Sequence, residues 1–121
     1  MDYLRFTSFL RKDFEVSNKK FASIKFFRSE LILIFIWFWI LENYYKSDQN
    51  LLSNTHVEEL INEIPNGFGS RPTIFKFIDQ AIAAKFIVKI PDPKDKRKWN
   101  LIASKQTIEE FESWAQGFRG F

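Results

Sequence analysis

An uninterrupted apolar stretch, LILIFIWFWIL, occupies Leu31–Leu41 and limits the folds that are open to this chain. Glu30 and Glu42 bound it, and its length falls well short of the roughly 20 apolar residues needed to cross a bilayer. From Leu31 to about Tyr45 every face of a helix would be apolar, and such a helix must be buried on nearly all sides. We therefore expect no membrane span and predict a central core helix.

The composition agrees with one globular domain over residues 1–121, because 45% of the residues are hydrophobic and 27% are charged. The 15 Phe and 4 Trp provide more large apolar surface than one small core easily hides, so we expect part of it at a subunit interface. The chain has no Cys, which excludes disulfides and thiolate chemistry and suits a reducing cytoplasm. The charged N-terminal residues do not resemble a secretory signal, and we expect a cytoplasmic protein.

The net charge is only +3, but the basic residues are concentrated in one segment. Residues 71–98 hold eight basic and three acidic groups, whereas residues 31–70 hold one basic and five acidic groups. A basic segment in an otherwise near-neutral chain is typical of a surface that binds a polyanion. A solvated lysine-rich loop explains the same charges equally well, so charge alone does not decide.

Apolar residues at three- and four-residue intervals predict an amphipathic N-terminal helix, with Asp2 as its N-cap. The same spacing over residues 21–31 predicts a second helix that begins after Ser17 and Asn18 and breaks near Ser29. These two helices precede the predicted core helix.

A capping box predicts the next helix, because Thr55 begins a Ser/Thr-x-x-Glu pattern. This helix should follow a polar loop at residues 46–54, cover about residues 56–64 and end at Pro65. His56, the only histidine of the chain, is expected to be an exposed residue of this helix.

A glycine-bearing turn at residues 66–69 leads to another predicted helix, which Ser70 can cap and which runs to about Lys85 with Pro72 in its first turn. Two short helices joined in this way are typical of a helix-turn-helix. The exposed side of the second helix would carry Arg71, Thr73, Lys76 and Gln80.

Residues 86–90 and 98–102 have strand character and flank a charged, proline-containing turn, so they predict a β-hairpin. Ser104 or Thr107 should cap a final helix. The sequence thus predicts a mainly α protein with a small β-hairpin, in the element order of a winged helix-turn-helix.

Residues 70–104 resemble the multiple-antibiotic-resistance regulator (MarR) family in this order of elements. Members show a Ser and then a Thr-Val at the start of the recognition helix, and here Ser70, Thr73 and Ile74 match. Members have a wing of the form Asp-Pro-x-Asp-x-Arg, which is matched by Asp92, Pro93, Asp95 and Arg97. Ala103-Ser104 stands at the Leu-Thr before the final helix, and Lys85 stands where members usually have glycine.

The resemblance implies a homodimeric transcriptional regulator that binds double-stranded DNA, with terminal helices at about 1–28 and 105–121 forming the dimer. A recognition helix at about 70–85 would enter the major groove, and a wing at about 91–100 would follow the backbone. The base-reading residues would be Arg71, Thr73, Lys76 and, further from the helix start, Gln80. The phosphate or minor-groove contacts would come from Ser70, Lys94, Lys96, Arg97 and Lys98. Asp95 would hold Arg97 in position.

Two other functions stay open on the sequence. The same fold can serve as a protein-interaction or assembly module without DNA binding, and the aromatic surface would then meet a partner. A small apolar effector in an aromatic pocket is also implied by the resemblance, although Phe and Trp at helical spacing are more often core. With no Cys, one His and no phosphate-cradling glycine motif, we expect no enzymatic activity, no metal and no cofactor.

Overall fold

The structure, a computed structural model, describes residues 1–46 and 56–120. In chain order its elements are α1 (Tyr3–Lys20), α2 (Ala22–Phe27), α3 (Leu31–Lys46), α4 (Val57–Glu63), α5 (Arg71–Ala83), β1 (Ile87–Pro91), β2 (Trp99–Ala103) and α6 (Lys105–Gln116). The mainly helical architecture with a small antiparallel hairpin agrees with the prediction. Apart from Lys46, the predicted polar loop and Thr55 of the capping box lie outside the described residues.

α3 is the centre of the core, as the apolar stretch predicted. Helices α2 and α5 and strand β2 pack against it, and Phe27 of α2 stacks on the fully buried Trp37 with ring centroids 6.0 Å apart. The prediction of burial on nearly all sides was wrong for one edge. Leu31 and Phe38 are 70% and 54% exposed, because no element among the described residues covers that edge of the helix.

α4 and α5 form a helix pair joined by a turn. Ser70 caps α5 as predicted, since its Oγ accepts a hydrogen bond from the backbone N–H of Thr73 at 3.4 Å. Gly67 in the turn has φ +94°, a conformation that favours glycine. Leu60 of α4 and Ile78 of α5 are buried, so the pair turns its apolar sides to the core and its polar sides to solvent.

The hairpin pairs β1 with β2 in antiparallel register from Ile87 opposite Ala103 to Pro91 opposite Trp99. Each strand begins and ends one residue later than predicted. A single β-bridge between His56 and Asn100 also attaches the chain just before α4 to β2. The hairpin is therefore connected to both helices of the pair, because β1 packs on α5 and β2 packs on α4.

α1 is capped by Asp2 as predicted, and a second helix, α2, follows it and ends at Phe27, just before the predicted break near Ser29. Ser17 and Asn18 do not start that helix, because both lie inside α1, which ends at Lys20, and the extended residue Phe21 separates the two helices. The hydroxyl of Ser17 donates to the carbonyl oxygen of Asp13 one turn earlier at 2.5 Å, a bond typical of a serine inside a helix, so it does not cap a new helix.

α6 begins at Lys105 and is capped by Ser104, not by Thr107. The hydroxyl of Thr107 is buried and donates to the carbonyl oxygen of Phe86 at 2.7 Å. Further along α6, the indole N–H of Trp114 donates to Asp13 of α1 at 2.9 Å, which joins the two terminal helices. Among the described residues, no helix combines the length and the apolar character that crossing a membrane requires.

Lys85 has φ +67°, a left-handed conformation that is unfavourable for a side chain with a Cβ atom. It lies between α5 and β1, where the backbone N–H of Phe86 donates to the carbonyl oxygen of Ala81 at 3.0 Å and closes the helix end. Glycine is the residue that adopts this conformation most readily.

We predict that Lys85→Gly raises the free energy of unfolding by about 1 kcal/mol, because glycine adopts this conformation without steric strain. Lys85→Ala is the matched control, since it removes the same charge and keeps a Cβ atom at the same φ. Urea unfolding of the three proteins checks this, and an equal gain in both variants would trace the effect to the charge instead.

Candidate functional site

A cleft of about 280 Å³ opens between the helix pair and the hairpin. It is lined by His56, Val57, Glu58, Glu59, Phe75, Lys89, Arg97, Lys98 and Trp99. These residues come from the start of α4, from α5 and from both sides of the hairpin. The cleft thus lies between the predicted helix-turn-helix and the predicted hairpin, and both acidic and basic side chains line it.

The polar face of α5 is exposed at Arg71, Lys76 and Gln80, as predicted. Thr73, which was predicted on the same exposed side, is half-buried. Its Oγ1 lies 3.0 Å from the hydroxyl of Ser70, because both side chains take part in the cap at the start of α5. The outer side of α5 therefore carries two cations and one amide together with an exposed acidic residue, Asp79.

Arg71 forms a two-pronged ion pair with Glu58 of α4, with Nη1 and Nη2 donating to the two carboxylate oxygens at 3.1 and 2.5 Å. The guanidinium also lies 5.2 Å from the ring centroid of Phe75 one turn along α5. Hydrogen bonding by Arg71 lowers the pKa of Glu58, and hydrogen bonding by Glu58 raises the pKa of Arg71. The pair fixes the direction of the Arg71 side chain across the helix pair.

The four cations of the hairpin tip are all exposed, and they are Lys94, Lys96, Arg97 and Lys98. Arg97 and Lys98 line the cleft, whereas Lys94 and Lys96 lie outside its lining. The expected contact between Asp95 and Arg97 is present, with Nε 3.2 Å from Oδ1. Side-chain hydrogen bonding from Arg97 lowers the pKa of Asp95, so the carboxylate stays ionised and keeps the pair intact.

Asp92 organises the base of the hairpin turn. Its Oδ1 accepts hydrogen bonds from the backbone N–H groups of Lys94 at 2.7 Å and Asp95 at 3.1 Å. The carboxylate is almost fully buried, and these backbone bonds, with smaller contributions from His56 and Asn100, lower its pKa. A buried carboxylate that accepts this many bonds stabilises one conformation of the turn.

His56 differs from the sequence prediction of an exposed helix residue. It precedes α4, its side chain is only 16% exposed, and its Nε2 lies 3.2 Å from Oδ2 of Asp92. The backbone bridge to Asn100 holds it against β2, which is why the side chain is covered. The sequence contained no local signal for this contact, because the two partners are far apart along the chain.

The sequence reasoning also missed the aromatic wall of the cleft, formed by Phe75 and Trp99. The ammonium of Lys89 lies 4.5 Å from the ring centroid of Trp99, a cation–π contact across the hairpin. Lys89 and Trp99 are diagonal neighbours in the register, so the two predicted strands could have indicated this contact once they were aligned.

No protein-family model matches the chain, and comparisons with characterised proteins and with solved structures find no match. Within residues 1–46 and 56–120, no three His, Asp or Glu side chains cluster in a way that could hold a metal ion.

We predict that the stability contributed by Asp92 disappears in acid. Folding lowers its pKa below the ordinary aspartate value of 3.8, so the contribution is fully present above that value and is lost as the pH falls through the lower pKa of the folded state. Urea unfolding of the wild type and Asp92→Asn should show a gap in unfolding free energy that is constant above about pH 5 and narrows toward pH 2. A gap of unchanged size in acid would contradict this assignment.

Proposed function

We propose that this chain binds double-stranded DNA as a transcriptional regulator of the winged helix-turn-helix type, similar to the MarR family. In this proposal α5 is the recognition helix and the hairpin is the wing. The observation that carries the proposal is that α5 and the cationic end of the hairpin border the same cleft, with Phe75 from one side and Arg97 and Lys98 from the other. A helix and a basic hairpin on a common side suit a duplex, which offers a major groove flanked by phosphates.

The α5 face would read bases in the major groove. Arg71 and Lys76 can donate to guanine, and Gln80 can pair with adenine through its amide. Thr73 would contribute less, because its hydroxyl is shared with Ser70 in the helix cap. Glu58 occupies the two terminal amino groups of Arg71 and leaves the Nε–H and the outer N–H donors for a base. Glu58 would thus orient Arg71 in the groove.

The remaining contacts would be to the backbone. Ser70 and the backbone N–H of Arg71 can meet a phosphate at the start of α5, where the helix dipole favours an anion. Pro72 has no N–H, and the N–H of Thr73 is bonded to the Ser70 hydroxyl. Lys94, Lys96 and Lys98 would neutralise phosphates along the wing, and Arg97 would reach toward a minor groove. The nearby acidic residues Glu58 and Glu59 would repel a phosphate that entered the cleft, which favours contact along its rim.

A homodimer is the second part of the proposal. α1 has 18 residues, of which only Ser17 is buried, and it displays a stripe at Tyr3, Leu10 and Phe14 that is 73%, 40% and 54% exposed. Apolar stripes of this kind mark protein interfaces. α1 is joined to α6 through Trp114 and Asp13, so a second copy could cover both terminal helices together. Two recognition helices would then read a pseudo-palindromic site.

The same exposed stripe favours the alternative, a protein-interaction module without DNA binding. The two functions differ in their dependence on salt, since a phosphate-binding surface loses affinity steeply as counterions are added.

The apolar effector stays a prediction. The cleft described above lies between the helix pair and the hairpin, not between the terminal helices and the helix pair, and its lining includes five charged side chains, those of Glu58, Glu59, Lys89, Arg97 and Lys98.

We predict that the wild type binds mixed-sequence duplex DNA with an affinity that falls as salt rises, with a log–log slope of about 0.9 for each phosphate contacted. The double variant Lys96→Ala, Arg97→Ala should bind at least about tenfold more weakly and show a shallower slope, because wing contacts are lost. The control Lys12→Ala, Lys19→Ala removes two exposed cations from α1 and should leave the slope nearly unchanged. Fluorescence anisotropy at two salt concentrations measures the affinity and its salt dependence. Equal losses of affinity in the two double variants would contradict a wing-specific site.

We predict that Leu10→Asp on α1 shifts the protein from dimer to monomer in sedimentation velocity, because a charge would be buried in the interface. Leu31→Asp is the matched control, since this exposed leucine lies at the start of α3, outside the terminal helices. A wild type that sediments as a monomer would remove the dimer from the proposal and leave monomeric DNA binding to be judged separately.

A further inference from the structure

We infer that His56 and Asp92 are positioning residues that hold the wing at a fixed angle to the recognition helix, so that Arg97 and α5 meet the duplex together. The inference rests on the proposed DNA binding for its function. Its structural part, that the pair fixes the hairpin tip against the helix pair, stands on the contacts alone.

The contact joins two separate parts of the fold. His56 lies at the start of the helix pair, and Asp92 lies in the hairpin turn immediately after β1. Nε2 of His56 is 3.2 Å from Oδ2 of Asp92, and the backbone bridge from His56 to Asn100 lies beside it. A hairpin attached only through the core packing of its strands could pivot at its tip, whereas this contact attaches the turn directly.

Further hydrogen bonds link Asp92 to Arg97, one of the cations of the wing. Asp92 holds the backbone N–H groups of Lys94 and Asp95 through its second carboxylate oxygen. The Asp95 carboxylate then accepts from the backbone N–H of Arg97 at 3.1 Å and from its guanidinium at 3.2 Å. His56 is therefore linked to Arg97 through two carboxylates, although the Arg97 side chain itself is 91% exposed.

Stability alone does not explain why the polar side chains of His56 and Asn100 are buried here. Within the described residues, Nδ1 of His56 and Oδ1 of Asn100 are buried without a hydrogen-bond partner, and such groups cost free energy in a protein interior. An apolar pair at the same place would avoid that cost. A directional polar contact does what apolar packing cannot, because it specifies one orientation of the turn relative to the helix pair.

The test is a double-mutant cycle on DNA affinity. Arg97→Ala should weaken binding about fivefold or more in the wild type, but less than about twofold in a His56→Leu background, because the wing is already out of position there. Lys76→Ala on α5 should cost the same factor in both backgrounds. His56→Gln should restore the Arg97 effect, since its amide N–H can take the place of Nε2. Equal Arg97 effects in the wild type and His56→Leu would overturn the inference.

Asp92→Ser provides a second variant that breaks the contact from the other side. Serine can still accept from the backbone N–H of Lys94 but is too short to reach His56, so the turn is kept and the contact is lost. If His56→Leu is unfolded by circular dichroism, the cycle is run with Asp92→Ser, with the same expected coupling to Arg97 and not to Lys76.

A measurement without DNA separates this inference from the proposed function. Backbone ¹⁵N order parameters for residues 94–98 should fall in His56→Leu and in Asp92→Ser and return to wild-type values in His56→Gln. Unchanged order parameters in both broken variants would overturn the structural part even where DNA binds. A wild type that binds no DNA, with order parameters that do fall, would overturn the proposed function and leave the positioning contact established.

Discussion

Burial of α3 is the constraint on which the rest of the structure depends. This helix is apolar on nearly every side, and α2, α5 and β2 cover it except along the edge that carries Leu31 and Phe38. Because α5 and β2 both pack on α3, this helix fixes the position of the helix pair relative to the hairpin. The surface formed by α5 and the hairpin tip therefore depends on how α5 and β2 pack on α3.

The surface that results is held by charge pairs as well as by packing. Arg71 is paired with Glu58, Arg97 with Asp95, and Asp92 is enclosed by backbone donors and His56. The two arginine pairs are exposed and contribute little stability, whereas their geometry limits where the two guanidinium groups can point. A polyanion would thus meet cations that are already oriented, which reduces the side-chain entropy lost on binding.

Much of the fold followed from local patterns. Asp2 and Ser70 act as caps where their residue types predicted, and the hairpin lies within one residue of its predicted strands. The errors have a common cause. The sequence predicted a helix start at Ser17 and an exposed His56, but tertiary contacts involve both residues. The Ser17 hydroxyl accepts a hydrogen bond from Arg28 at the end of α2, and His56 contacts Asp92 of the hairpin. A local pattern cannot report such contacts.

The sequence by itself determined the periodicity of the helices, the positions of their caps, the core helix and the concentration of basic residues after residue 70, because these depend on residue type and short-range spacing. Only the tertiary structure decided that α5 and the hairpin tip border one cleft, that Glu58 holds Arg71, and that His56 reaches Asp92. These contacts follow from how α3 is covered, and that packing is a property of the whole chain and not of any one segment.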